Sequence, residues 1–329
     1  MEKIYAWVLR KTEERLTRKK AIKATEKANR TFLSETWGWI DALIFAVVFV
    51  FLLNQFFVQL FVIPSPSMVE TLQVKDRVLV NKQAYGIELY PSGPKVLDSR
   101  TPDRDDIITF YNPDYVSRGP FFDIFSQCLY MATLSFVNID RDEDGNMKEK
   151  LYVKRAVGMA GDRVRFVNGN VLIRPAGTTD FIDEETFRAD NGLSSGPHRS
   201  LDLDLYSSIN ARGRLMAYQD DGIAQSQIPS HLLTEYEKIS NSNKYYDMYQ
   251  HEAAYAQAAA QLRPYDMSRR SASATYSRGI YVPQGYVLPL GDNRDNSSDG
   301  RYFGPVGTNT INGKVSAVLW PFSHWKSFV

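Results

Sequence analysis

Two side chains in this sequence could do covalent chemistry together. Ser67, followed by Met68, lies four residues past a long apolar segment that ends at Ile63. Lys154 sits in Tyr152-Val153-Lys154-Arg155, which reads as a half-buried strand. A serine hydroxyl is a poor nucleophile until a neighbouring base takes its proton. Lysine can be that base only when neutral, so its ordinary value near 10.4 must fall to roughly 7–8. Each tenfold step is about 1.4 kcal/mol, so burial must penalise the ammonium by about 3–5 kcal/mol. Period-two alternation puts Tyr152, Lys154 and Ala156 on one face and Val153, Arg155 and Val157 on the other, which gives Lys154 apolar company. On spacing alone, an ordinary edge-strand lysine is the simpler reading.

The rest of the inventory excludes other chemistries. His198, His231, His251 and His324 are scattered, away from any motif and without the close spacing of a zinc site. Cys128 is the only cysteine, so an internal disulfide and a thiolate cluster are both excluded. A net charge of +1 over 329 residues argues against a globally basic nucleic-acid binder. Asp140-Arg141-Asp142-Glu143-Asp144-Gly145 opens like a calcium loop, but Leu151 stands where the twelfth-position glutamate is needed, which leaves a solvated acidic turn.

Several elements must position Ser67 and Lys154. Residues 40–63 are apolar apart from Asp41, Asn54, Gln55 and Gln59, and about 20 such residues cross a bilayer. Ala42 to Leu53 is apolar all round rather than striped, which favours lipid over a protein core. The segment predicts an uncleaved anchor. Before it, residues 1–30 carry ten Lys/Arg against four Glu, which predicts a cytoplasmic N-terminus and everything after Ile63 outside. Beyond the anchor, short β-branched runs predict strands at Arg77–Val80, Ile107–Tyr111, Tyr152–Val157, Val164–Val167, Val171–Arg174, Gly285–Leu290 and Lys314–Trp320. Asn168-Gly169 predicts a hairpin turn. The expected organisation is a basic segment (1–39), an anchor (40–63) and a β domain (64–174 and 281–329). That domain would be interrupted by an insertion at 111–150 and by a polar, loop-rich second lobe at 175–280 with one helix near Glu252–Leu262. Phe121–Val137 is apolar but short. If it crossed the membrane, Ser67 and Lys154 would lie on opposite sides, so it is expected to pack or lie on the membrane without crossing.

Five runs, in order, resemble the bacterial type I signal peptidases, also called leader peptidases. They are Ile63-Pro64-Ser65-Pro66-Ser67-Met68-Val69-Glu70-Thr71-Leu72, then Asp76 to Lys82 followed by Ala84-Tyr85-Gly86, then Asp105 to Phe110. Tyr152 to Gly158 with Gly161-Asp162 is the fourth, and Gly291 to Gly304 the fifth. The resemblance covers about a third of the chain. It implies a mainly β, membrane-anchored antiparallel sheet domain with an inserted lobe and one N-terminal transmembrane helix. The activity it implies is a serine endopeptidase that removes signal peptides from exported preproteins after Ala-x-Ala, without a cofactor. Ser67 would be the nucleophile and Lys154 the general base. The Ser67 N–H and Ser65 hydroxyl would form the oxyanion hole, Ser297 would orient Lys154, and Asp299 would pair with Arg301. Ile63, Pro64, Met68, Leu72, Tyr152 and Val153 would shape shallow pockets for small side chains. Implied partners are signal peptides, membrane lipid and the export machinery, with no nucleic acid. Pro66 and Glu70 depart from the family pattern; Pro66 could turn Ser65 away and remove an oxyanion donor worth about 3–4 kcal/mol. The competing expectation is an inactive, membrane-tethered β module that binds signal sequences or a translocation partner. A self-cleaving serine/lysine regulator fits the anchor poorly.

Overall fold

The computed structural model describes residues 2–28, 32–91, 93–96, 100–142, 145, 147–193, 199, 201–240 and 247–328. The chain divides into two compact units, Met1–Phe51 and Leu52–Val329. In the first, helix α1 (Glu2–Ala28) carries the basic run, and helix α2 (Phe32–Phe56) begins. Within α2, Thr36–Phe56 has a mean hydropathy of 2.1 and is long and apolar enough to cross a membrane. Its large apolar side chains, such as Leu43, Phe45 and Phe49, are exposed.

The helix ends earlier than the apolar run. Residues 40–63 read as one anchor, yet Val58–Val62 is a strand, β1. The difference has a local cause: β1 pairs antiparallel with β2 (Arg77–Asn81), with Val58 opposite Asn81 and Val62 opposite Arg77. Next come β3 (Ile87–Glu88), β4 (Lys95–Val96) and β5 (Ile107–Tyr111), then helix α3 (Pro120–Ala132). β6 (Leu151–Gly158), β7 (Arg163–Val167), β8 (Asn170–Arg174) and β9 (Ile182–Asp183) follow, and then helix α4 (Glu184–Asp190).

The second lobe is helical rather than loop-rich: α4 is joined by α5 (Leu205–Asp220), α6 (Ser230–Ser240), α7 (Met248–Leu262) and α8 (Met267–Arg278). The chain returns through β10 (Ile280–Tyr281), β11 (Tyr286–Leu290), the single turn α9 (Gly300–Phe303), β12 (Val306–Gly307), β13 (Ile311–Trp320) and β14 (Lys326–Ser327).

Among the described residues, the main sheet is antiparallel in the order β1-β2-β13-β5-β6-β11-β12, with β14 on β13. Six of the seven runs expected as strands lie within its strands or within the smaller β10-β7-β8-β9 sheet, and the seventh, Gly285–Leu290, starts one residue before β11 because Gly285 belongs to the preceding turn. Asn168 and Gly169 turn β7 into β8 with φ of 49° and 75°, as a two-residue hairpin of this type requires. The core beneath the site is Phe61, Ile63, Met68, Leu72, Val78 and Val153, drawn from four separate segments.

Helix α3 spans about 20 Å, too short for a bilayer's roughly 30 Å hydrocarbon core. It and the turn after it dock on β1 and the start of β2. Ser135 Oγ donates to the Leu60 carbonyl (2.6 Å), Val62 N–H to the Tyr130 hydroxyl (3.4 Å) and Arg77 Nη1 to the Leu134 carbonyl (3.1 Å). Leu60 N–H donates to Asn54 Oδ1 (3.2 Å), so side chains occupy the outer rim of this edge strand. The acidic turn at 140–145 includes Glu143 and Asp144, which lie outside the described residues; beside it Arg141 and Met147 form a single antiparallel bridge.

Candidate active site

The chain leaves β1 at Val62, and Ile63 stays tied to the β2 side: its N–H donates to Asp76 O, and its carbonyl accepts from Lys75 N–H. Pro64 and Ser65 then run extended into a single 3-10 turn, Pro66–Met68. Pro66 opens that turn, where its fixed φ fits and its missing N–H costs nothing. Ser67 is placed in the turn, 7% exposed. Two bonds from one residue clamp it: Asn293 N–H donates to the Ser67 carbonyl (3.0 Å), and Asn293 Nδ2 to the Pro66 carbonyl (3.2 Å).

Lys154 approaches from β6. Its ammonium donates to Ser67 Oγ at 2.7 Å and lies 5.1 Å from the Tyr152 ring centre. Both faces of β6 are largely covered, and Lys154 is 3% exposed. Burial therefore dominates its titration and lowers it from 10.5 to about 8, against the opposing charges of Asp299, Glu149 and Asp292; Arg301 lowers it further. Arg155 points to the other face, where Nη2 and Nε grip Asp292 (2.6 and 2.7 Å) and Nη1 reaches Asp105 (3.1 Å).

Asp292 and Asn293 belong to the loop Gly291–Gly304, which is anchored by charge at several points. Asp299, with no exposed surface, accepts from the Gly291 N–H (2.9 Å), from Arg301 N–H (3.1 Å) and from the Arg301 guanidinium (2.9 and 3.1 Å). Those donors hold its carboxyl below the usual range despite burial, which by itself acts the other way. Arg294 Nη2 forms a bidentate pair with Glu184 of α4 (2.6 and 2.9 Å), and Arg188 of α4 reaches Asp105 (2.6 Å). Asp295 accepts from the Tyr206 hydroxyl of α5 (3.0 Å). The helical lobe thus grips the same loop that clamps Ser67.

Of the residues singled out from sequence, the structure brings Ser65, Ser67 and Lys154 together. The Ser65 hydroxyl is 3.4 Å from Ser67 Oγ, so Pro66 does not turn it away. Ile63, Pro64, Met68, Tyr152 and Val153 line a small cavity against this pair; Leu72 is fully buried in the apolar cluster behind rather than on its wall. Asp299 and Arg301 pair as expected. Ser297 differs from expectation. Its hydroxyl is buried without a hydrogen-bond partner and packs beside Gly291, while Lys154 donates to Ser67. A Cβ at Gly291 would lie 2.1 Å from Ser297 Oγ and 2.6 Å from the Ser67 carbonyl oxygen, so Ser297 stands within a side chain's width of the nucleophile's backbone.

Sequence reasoning gave no role to Asn293, Gly291, Arg294 or Glu149. The first three sit inside a quoted motif, but their contacts to Pro66, Ser67 and Glu184 bridge more than 100 positions. Glu149 lines the cavity, with no sequence signal at all. Burial raises its carboxyl above the ordinary range, opposed by the Lys154 charge.

Comparison with known proteins identifies the family. The sequence model of the family described as "Signal peptidase, peptidase S26" matches residues 36–320. The chain is 28% identical over 321 residues to signal peptidase I of Pseudomonas fluorescens, covering 92% of this chain and 80% of that one. It is 25% identical over 302 residues to signal peptidase I of Haemophilus influenzae, covering 91% and 74%. Signal peptidase I of Pseudomonas aeruginosa is 28% identical over 309 residues, covering 90% and 76%. A match spanning most of the chain places it: the chain belongs to the peptidase S26 signal peptidase family.

Proposed function

We propose that this protein removes signal peptides from exported preproteins by serine/lysine catalysis. The observation that carries the proposal is the 2.7 Å contact between Lys154 Nζ and Ser67 Oγ, made by an ammonium that burial lowers to about 8. A neutral Lys154 takes the Ser67 hydroxyl proton as Oγ attacks the scissile carbonyl. Charge developing on that oxygen is met by the Ser67 N–H and the Ser65 hydroxyl. The Lys154 ammonium then gives its proton to the leaving amine, which departs as the mature protein's N-terminus. The acyl group left on Ser67 is released when Lys154 deprotonates an attacking water. Ser297, next to Ser67 with an unpaired hydroxyl, is assigned to orient Lys154 as the proton moves.

The substrate docks as an extended strand. On the side where β11 pairs with β6, pairing starts only at Arg155, so no described strand lies against Leu151–Lys154 there. Residues 63–65 face that open edge across the small cavity. A peptide laid between them gains main-chain hydrogen bonds, while the cavity admits alanine-sized side chains one and three residues before the cut. Helix α2 would anchor the protein, with the basic residues of α1 keeping the N-terminus cytoplasmic and the β domain outside. Lipid and the export machinery are the expected neighbours. An inactive binding module is the poorer reading, since binding alone gains nothing from a buried lysine against a serine hydroxyl.

The test is incubation of the purified full-length protein with an Ala-x-Ala preprotein, followed by N-terminal sequencing of the product. A new N-terminus directly after the second alanine is expected from the wild type and not from Ser67→Ala. Binding without a cut by the wild type would favour the inactive module instead.

A further inference from the structure

A second cavity of about 250 Å³ opens beside the small one and shares Phe61, Pro64, Glu149 and Leu151 with it. Apart from Val62 and Arg77, its remaining wall comes from the 111–150 insertion, including Tyr130, Phe136 and Met147. The insertion is fixed there. Tyr130 packs edge-on to Phe61, with ring centres 6.5 Å apart, and Arg77 lies over the Phe136 ring at 4.3 Å. The surface that faces the cavity is mainly apolar and aromatic, although Arg77, Asp140, Lys148, Glu149 and Lys150 place charges on its wall. That makeup suits a single apolar side chain held at a polar mouth.

The register follows from strand geometry. Lys154 marks the scissile bond, and Val153 and Leu151 lie two residues apart along the open edge of β6. Side chains of an extended substrate that share a face are also two residues apart, about 6.6 Å. The pocket for small side chains runs from Ser67 toward Phe61, so residues before the cut run the same way. Positions −1 and −3 fill that pocket, and the next side chain on their face, −5, arrives at the second cavity. We propose that the open cavity lined by Tyr130, Phe136 and Met147 is a specificity subsite for an apolar side chain five residues before the scissile bond. The inference rests on the signal-peptidase reading. The 111–150 insertion would then read the end of the signal peptide's apolar stretch, beyond the small residues.

The experiment compares kcat/KM for preproteins that differ only by Leu or Asn, which are similar in shape, at −4, −5 or −6. Each is cut by the full-length wild type, by Phe136→Ala/Met147→Ala and by Phe121→Ala, whose side chain is exposed on α3 away from the cavity. The expected wild-type preference for Leu over Asn is about tenfold at −5, the usual worth of one apolar side chain in a pocket. It should fall below about threefold in the double variant and persist in Phe121→Ala. Because each ratio is taken within one protein, partial loss of folding does not mimic the result. Cleavage without a −5 preference, a preference at −4 instead, or one that survives the double variant would overturn the subsite while leaving the signal-peptidase reading intact. Failure of the wild type to cut any of these preproteins would overturn both.

Discussion

Gly291→Ala should disable the site with little effect on the rest of the protein. The added Cβ would fall 2.1 Å from Ser297 Oγ, 2.5 Å from Ser297 Cβ and 2.6 Å from the Ser67 carbonyl oxygen. Relaxed non-bonded contacts to carbon are nearer 3.5 Å, so these groups must separate by roughly 1 Å. The Ser67 carbonyl cannot move freely, because Asn293 N–H is bonded to it, and Gly291 N–H is held in turn by Asp299. The strain therefore goes into the 2.7 Å Ser67–Lys154 contact or into Ser297. A displacement of about 1 Å at a reacting group costs on the order of 100-fold in rate, or about 3 kcal/mol of barrier. Overpacking at one site costs about 1–3 kcal/mol of stability, which a folded domain can survive. Preprotein cleavage should be followed as kcat/KM alongside thermal unfolding of the same sample. A folded Gly291→Ala protein with kcat/KM within about threefold of the wild type would refute the claim that this loop sets the position of Ser67.

Lys154 predicts a pH profile. With the group near 8, the neutral amine makes up about 1% at pH 6 and about half at pH 8, so the rate should climb roughly fiftyfold across that interval and level off above it. A rate flat over the interval, or one still rising tenfold per pH step beyond pH 9, would contradict a buried lysine base. Arg155→Ala should destabilise the protein by about 3–5 kcal/mol, because it leaves Asp292 buried without its bidentate partner. Denaturant unfolding measures that loss, and a change under about 1 kcal/mol would show that the pair is not needed. The same variant should keep more cleavage activity than Lys154→Ala, since Arg155 points away from Ser67.

The sheet was largely legible because its strands are short β-branched runs punctuated by turn residues, and Asn168-Gly169 announces its hairpin in two letters. The anchor's end was not. Phe57 to Ile63 continues an apolar stretch, and composition alone cannot separate strand from helix there; pairing with Arg77–Asn81 decides it. The helical lobe was hidden for the opposite reason. Helix α8 is mostly Ser and Arg, α5 interrupts its apolar residues with Ser, Arg, Asn and Gln, and the short side chains by which α7 packs, Ala254, Ala258 and Ala259, give a weak hydrophobic period. At the site, the identity and order of the motifs were readable, whereas the clamps were not. Asn293 to Pro66 and Arg155 to Asp292 are contacts across 227 and 137 positions, fixed only once β6 and the 291–304 loop converge. The unpaired Ser297 hydroxyl was likewise invisible, since it depends on where Gly291 leaves room.

Ser67 and Lys154 should act as one unit on a preprotein, and single-turnover kinetics reads this directly. The rate of cleavage of an Ala-x-Ala preprotein is compared for the wild type, Ser67→Ala, Lys154→Ala and the double variant, each first shown to unfold at the wild-type temperature. Each single change is expected to abolish measurable cleavage, and the double variant to be no worse than either, because two groups acting as a unit are lost together. Appreciable turnover by Lys154→Ala would contradict the shared mechanism.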